Sequence, residues 1–528
     1  MKNVKKLSTL ILALIMLLTA VPSFSFAEET AAYVPAYDRE TPVVLLHGIG
    51  QNDTYVVDDE GNVLPDREGG ELTVWPLEAD ITAMVKEVLP SLLLSVFTRR
   101  DAGLSQAFRD SVDDLLYAFR KDNEGNYLDN VYVPSYQCSM EALPDEFREY
   151  YYRMLPMHTC AEVIGNDNLY LFGYDSLGDI EETTRLLHEF ITETVLPQTG
   201  ADKVNLCPIS LGGTLAVSYL DMYKEDHDLI KKMVYVIPAI DGSDIVGDIL
   251  TGNLSTEKNS ALYGDVLTSL LGDTFTTHLL SLALRVLLPS DVLKASVQAL
   301  AEGVVEHAVR PTTQLWALCP TAYYPEAREK WLMDDEFALI REKVDNFMKA
   351  RENFPENLRS ITEKGAQSFS LCCYDLELFP LTAGYKTTNS DGIIHSASTS
   401  LGATFAPLGE TLGENYTAKG TYCADPAHSH LSPDGMVDAT TGLIPCTTWY
   451  FKGQSHEGTA NNKICIDLAC YLLCDDNLTD VYANPAYPQF IDCTSEKSPE
   501  KVSLDSALNF FAKAGAQAVD GVFTFLGQ

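Results

Sequence analysis

Ser210 stands in the run Pro208-Ile209-Ser210-Leu211-Gly212-Gly213, after an apolar stretch at Lys203–Cys207 and before a helical pattern at Gly212–Tyr223. A serine on so short a strand-to-helix turn has its hydroxyl lifted above the sheet, with the N-terminus of the helix behind it. That helix end supplies free N–H groups and partial positive charge where an oxyanion would develop. The chemistry indicated is nucleophilic attack on a carbonyl, with the N–H of Leu211 as first oxyanion donor. The second is expected from the loop His47-Gly48-Ile49-Gly50, at the N–H of Ile49. Pro208 occupies the place where such turns usually carry glycine. Gly212 and Gly213 are expected to make room for its ring.

A serine needs a base, and the base needs an orienting acid; in this kind of turn-borne site the chain order is serine, acid, histidine. Asn389-Ser390-Asp391-Gly392 places Asp391 on a tight turn after the apolar run Phe369–Cys373, with Asp375 as the rival acid nearer that run. His456, in Gly453-Gln454-Ser455-His456-Glu457-Gly458, falls between a strand-like Thr447–Phe451 and a helix-like Ile464–Leu473. It is therefore the expected base. His395, His428 and His430 are alternatives without that setting.

Cys423-Ala424-Asp425-Pro426-Ala427-His428-Ser429-His430 gathers several possible metal donors in eight residues. Its two histidines are one residue apart and no CxxC accompanies them, so a solvated loop is the expected reading and no metal or organic cofactor is anticipated. Of the twelve cysteines, Cys207, Cys372 and Cys373 sit in strand-like runs and read as buried thiols. Cys423 and Cys446 are the pair to examine first for a bridge. Asp58–Asn62 and Lys121–Asn126 resemble one another and suit turns; both lack the closing glutamate of a calcium loop.

The elements that must hold these residues read as apolar runs at Thr41–Gly48, Asn168–Gly173, Lys203–Cys207, Met233–Ile237 and Phe369–Cys373, several separated by helical patterns such as Gly178–Val195. Strands alternating with helices imply an α/β fold, a mostly parallel sheet covered by helices on both faces. The stretch 255–310 is rich in Leu, Ala and Val at helical spacing and reads as a cap over the carboxyl edge of the sheet. The expected organisation is a signal peptide at 1–27, core at 28–242 and 366–496, a cap at 243–365 and a helical tail at 497–528.

The first 27 residues carry Lys2, Lys5 and Lys6, an apolar run and Ser25-Phe26-Ala27, the three parts of a secretory leader, so export with cleavage near Ala27 is expected. The remainder has 34 basic against 75 acidic residues, a net charge of −41 that argues against nucleic acid as a partner. No second apolar stretch spans a membrane in the mature sequence. Oligomeric state is not legible.

With these landmarks in order, the chain resembles the lecithin–cholesterol acyltransferase-like lipases of the α/β-hydrolase superfamily. Pro42–Gly48 matches their opening strand and oxyanion loop, Ser210–Gly213 their elbow, and Pro238–Ser243 the turn after the next strand. Arg310–Pro320 is similar to their Ser-x-x-Trp-Leu-x-Pro segment, and Asn389–Gly392 stands at their acid turn. The departures are Pro208 for glycine and Ile393-Ile394 for Thr-Val. The resemblance implies carboxylic-ester chemistry on lipids, by hydrolysis or acyl transfer, without a cofactor. Two other readings remain open at this stage: an exported binding protein on an inactive scaffold, and amide hydrolysis by the same residues.

Overall fold

Val43-Val44-Leu45-Leu46 is wholly buried and shows no polar alternation, the pattern of a parallel strand covered on both faces. In the computed structural model it forms β1 (Val43–Leu46). The structure describes residues 33–494 apart from 67–69, 76–80, 135–137, 257–280, 283, 421, 424 and 426. The segments expected as a leader (1–27) and a helical tail (497–528), and residues 257–280 and 283 of the expected cap, lie outside the described residues. Every element named below belongs to the unit that starts at Ala36.

Between β1 and its parallel neighbour β5 (Leu169–Phe172) runs a long excursion. It carries a three-stranded antiparallel sheet of β2 (Thr54–Val56), β3 (Thr73–Trp75) and β4 (Val131–Tyr132), and the helices α1 (Ile81–Thr98) and α2 (Leu104–Leu115). The two Asp-initiated segments are turns: Asp58 Oδ1 accepts from Glu60 N and Asn62 N, and Asp122 Oδ1 from Glu124 N and Asn126 N. After β5 come α3 (Ile180–Glu189), β6 (Val204–Pro208), α4 (Gly212–Met222) and β7 (Ile230–Val236). Then follow α5 (Ser290–Val304), the 26-residue α6 (Ala338–Glu363), β8 (Gln367–Tyr374) and the short antiparallel pair β9 (Thr404–Phe405) and β10 (Val437–Asp438). The chain closes with β11 (Thr448–Lys452), α7 (Lys463–Cys474) and β12 (Phe490–Asp492).

The central sheet has seven strands in the order β12-β11-β8-β7-β6-β1-β5, with every pairing parallel. This is the expected α/β architecture. Its helices start where side chains can satisfy their first N–H groups: Asp179 accepts from Glu182 N at α3, and Asn462 from Ile464 N and Cys465 N at α7. α4 is buried from Gly212 to Leu220 and packs against α3 and α6, with Thr184 Oγ1 donating to Ser218 Oγ at 2.8 Å. Asn205 of β6 anchors α7 by donating to Leu473 O at 2.8 Å.

A smaller apolar cluster stands apart from the main core: Val88, Leu104, Ala107, Leu288 and Val292 join α1, α2 and the start of α5. The helical layer thus draws on two chain segments, 81–115 and 288–304. Leu93, Leu94 and Phe97 on α1 and Leu282, Val286 and Leu287 stay exposed. Among the described residues no helix is long and apolar enough to cross a membrane.

Candidate active site

β6 ends at Pro208 and α4 begins at Gly212, so Ser210 occupies a turn of three residues. Its φ is +50°, a left-handed conformation that costs a non-glycine residue energy unless its surroundings impose it. Here they do. Ser210 N donates to Val236 O at 3.0 Å, while Ser210 O accepts from Gly213 N and Ala239 N at 2.9 Å each.

Close packing dictates the two glycines. A Cβ on Gly212 would lie 2.4 Å from Leu46 O, and one on Gly213 would lie 2.8 Å from Pro238 Cβ. The expectation that they clear space for Pro208 is therefore corrected: they clear it for β1 and for the turn after β7. Pro208 is accommodated differently. The β6–β7 ladder runs to Leu206–Met233, breaks, and resumes at the Ile209–Val236 bridge. A residue without an N–H falls where that ladder is already interrupted.

The three side chains singled out in the sequence are hydrogen-bonded in series. His456 Nε2 lies 2.9 Å from Ser210 Oγ, and His456 Nδ1 lies 2.7 Å from Asp391 Oδ2. Asp391 is held by its own turn, its Oδ1 accepting from Ile393 N at 2.9 Å and Ile394 N at 2.7 Å. The turn also carries the histidine loop, because His456 N donates to Asp391 O at 2.9 Å. A carboxylate at Nδ1 puts the ring proton there and leaves Nε2 free to accept from the serine hydroxyl. Burial disfavours the charged imidazole, but the Asp391 carboxylate outweighs it and holds His456 above its ordinary pKa.

The rival residues point elsewhere. Asp375 faces Lys452 Nζ at 3.6 Å, and its N–H donates to Asn389 Oδ1. His395 Nδ1 lies 3.2 Å from Asp244 Oδ1. His428 and His430 belong to a separate cluster with Cys423 and Cys446.

Around the serine, the N–H groups of Ile49 and Leu211 have no hydrogen-bond partner among the described residues. What aims the first of them is His47, which sequence reading passed over. It is fully buried, stacked on Tyr174 at 4.0 Å, and its Nε2 accepts from Tyr174 N at 3.2 Å. Its Nδ1 therefore carries the proton and donates to Gly48 O at 2.7 Å. In a trans peptide the carbonyl and the next N–H point in opposite directions. Tying Gly48 O to His47 thus turns the Ile49 N–H away from that ring. Burial pulls His47 down to about 4, so it stays neutral and this donor arrangement persists across the working range. Gly48 is itself close to the nucleophile: a Cβ there would meet Ser210 Cβ at 3.1 Å.

A hydroxyl bonded to an imidazole and an imidazole bonded to a carboxylate, with the N–H groups of Ile49 and Leu211 unpartnered among the described residues, can carry out addition to a carbonyl and stabilise the oxyanion formed. Ser210 and His456 keep 9% and 8% of their surface exposed, so the pair is recessed but reachable.

Comparison with protein-family models gives no match, and neither does comparison with curated proteins. Among solved structures the chain is similar to one described as the crystal structure of the Tle4–Tli4 complex. The likeness is at 12% identity and TM-score 0.30, covering 82% of this chain and 97% of that one.

Proposed function

We propose that this protein is an exported serine hydrolase that cleaves carboxylic esters, with lipids as the substrate class, through Ser210, His456 and Asp391. The observation that carries the reading is the unbroken series Ser210 Oγ, His456 Nε2, His456 Nδ1 and Asp391 Oδ2, at 2.9 and 2.7 Å, on a turn strained at the serine.

In this reading His456 Nε2 takes the Ser210 proton as Oγ bonds to the ester carbonyl carbon. The carbonyl oxygen becomes an oxyanion facing the N–H groups of Ile49 and Leu211. Its collapse breaks the bond to the alcohol, which leaves with the proton from His456. Water then gives a proton to His456, attacks the acyl-serine, and releases the carboxylic acid and free Ser210. An alcohol in place of water would make the same steps an acyl transfer. Asp391 keeps the imidazole in the required tautomer and stabilises its charged form.

Lipid as substrate class is supported by the helical layer, where Phe97 is 87% exposed beside Leu93 and Leu94, an apolar surface suited to an acyl chain or an interface. Export is supported by the leader-like pattern of residues 1–27. Hydrolysis of p-nitrophenyl esters should fall by about 10⁴-fold or more in Ser210→Ala, the scale of losing a nucleophile that acts as a unit with its base. Activity retained in that variant would end the assignment.

A further inference from the structure

Away from Ser210, four side chains converge that lie up to 23 residues apart. Cys423 Sγ is 3.2 Å from His430 Nε2, 3.6 Å from His428 Nδ1 and 3.3 Å from Cys446 Sγ. Cys446 Sγ is 3.6 Å from His430 Nε2 and 3.9 Å from His428 Nδ1. All four donor atoms fall within 4.8 Å of one another. Cys423 and Cys446, the pair to examine first for a bridge, are both free thiols. A zinc ion bonded at about 2.3 Å to sulfur and 2.0–2.1 Å to nitrogen, in a tetrahedron, separates its donors by roughly 3.3 to 3.8 Å. The five contacts, at 3.2 to 3.9 Å, bracket that range.

The protons do not suffice to explain the cluster as ordinary hydrogen bonding. Gln489 Nε2 donates to Pro445 O at 2.7 Å and Thr448 O at 3.1 Å, which fixes its Oε1 as an acceptor. His430 Nδ1 donates to that Oε1 at 2.8 Å, so Nε2 presents a lone pair to the sulfurs. His428 has the Asp425 carboxylate 3.6 Å from its Nε2, which favours the proton there and a lone pair at Nδ1. Two S–H protons are left to satisfy five short contacts. Imidazoles whose outer nitrogens are held by an amide and a carboxylate are the usual setting of metal-bound histidine.

We propose that Cys423, His428, His430 and Cys446 form a structural zinc site. Two thiolates and two neutral imidazoles give a soft, uncharged complex with Zn²⁺, the preferred set for that ion in tetrahedral geometry. Four protein donors leave no position for substrate, so the ion does not take part in ester chemistry. Its place in the fold agrees. Cys446 lies in the turn Pro445–Thr447 at the amino end of β11, and Gln489 just precedes β12. Ser210, Asp391 and His456 follow the carboxyl ends of β6, β8 and β11. The ion would clasp the excursion between β9 and β11 onto β11 and β12, the last two strands at one side of the sheet, the first of which leads to His456.

Metal analysis of the full chain, purified without chelator, should find about one zinc per chain. Cys423→Ser and His430→Ala should reduce it to background, while Cys138→Ser and Ser210→Ala should leave it unchanged. Cobalt(II) added to metal-free wild type should give the thiolate charge-transfer band and intense visible bands of a tetrahedral S₂N₂ site, a readout that needs no variant to fold. Absence of both stoichiometric zinc and the cobalt spectrum would overturn the proposal. So would a Cys423–Cys446 disulfide in a non-reducing peptide map of the purified protein.

Discussion

Two clusters of convergent polar side chains lie at opposite ends of β11, and they differ in what each leaves open. At the carboxyl end, the Asp391–His456–Ser210 series runs one way and ends in a hydroxyl, and the N–H groups of Ile49 and Leu211 have no partner among the described residues. At the amino end, the Cys423, His428, His430 and Cys446 donors all face one centre, and their outer nitrogens are occupied by Gln489 and Asp425. The first is arranged to pass a proton and accept a reacting atom. The second is closed on itself. A polar cluster is thus distinguished by whether its last member is satisfied, rather than by which residue types it contains.

The comparison breaks most visibly if the directional series is cut at the acid. Asp391→Asn should lower kcat by about 10⁴-fold, because an amide at Nδ1 no longer holds the tautomer that lets Nε2 accept from Ser210. Asp375→Asn, on the other loop after β8, should stay within severalfold, since Asp375 faces Lys452. Steady-state kinetics of the two variants decide between the acids, and a reversed order would reassign the role to Asp375.

A smaller effect is expected at the open end. His47→Phe keeps an aromatic ring against Tyr174 but removes the hydrogen bond that fixes the Gly48–Ile49 peptide. The kcat should drop by about 10- to 100-fold with little change in KM, less than the loss of an entire oxyanion donor. Equal loss in a substrate-binding assay would assign His47 to packing instead.

The smallest effect is a displacement along the pH axis. The base must be neutral to act, and Asp391 raises the pKa of His456. The kcat/KM should therefore rise with pH through a midpoint above about 6.5, the ordinary histidine value. In Asp391→Asn the carboxylate is gone while burial remains, so the residual activity should show a lower midpoint. A wild-type midpoint well below 6.5 would contradict the pairing.

The sequence and the structure part company along the same line. Continuous apolar runs announced six of the seven sheet strands, and Ser210, Asp391 and His456 each sat on a loop leaving an element whose pattern was strong. Those residues are legible because local chemistry fixes each one: the glycines after Ser210, the Asp-Gly turn, the strand-to-helix loop. β12 was missed because three residues bordered by turns carry no period. The excursion holding β2 to β4, α1 and α2 separates β1 from β5 along the chain although the two strands pair directly. His47 read only as part of a loop, since its role depends on Tyr174, 127 residues away. Cys446 stood out in the sequence only as a possible bridge partner of Cys423; its convergence with His428 and His430 depends on the folding of β10 and β11. Long-range convergence leaves no local mark.

The central claim is that Ser210 is an activated nucleophile. The most direct measurement is labelling of the full chain by a fluorophosphonate, followed by peptide mapping of the phosphonylated residue. A single adduct on Ser210, abolished in Ser210→Ala and strongly slowed when His456 is replaced by alanine, is the predicted result. Absence of labelling on the folded wild type, or an adduct on another serine, would contradict it.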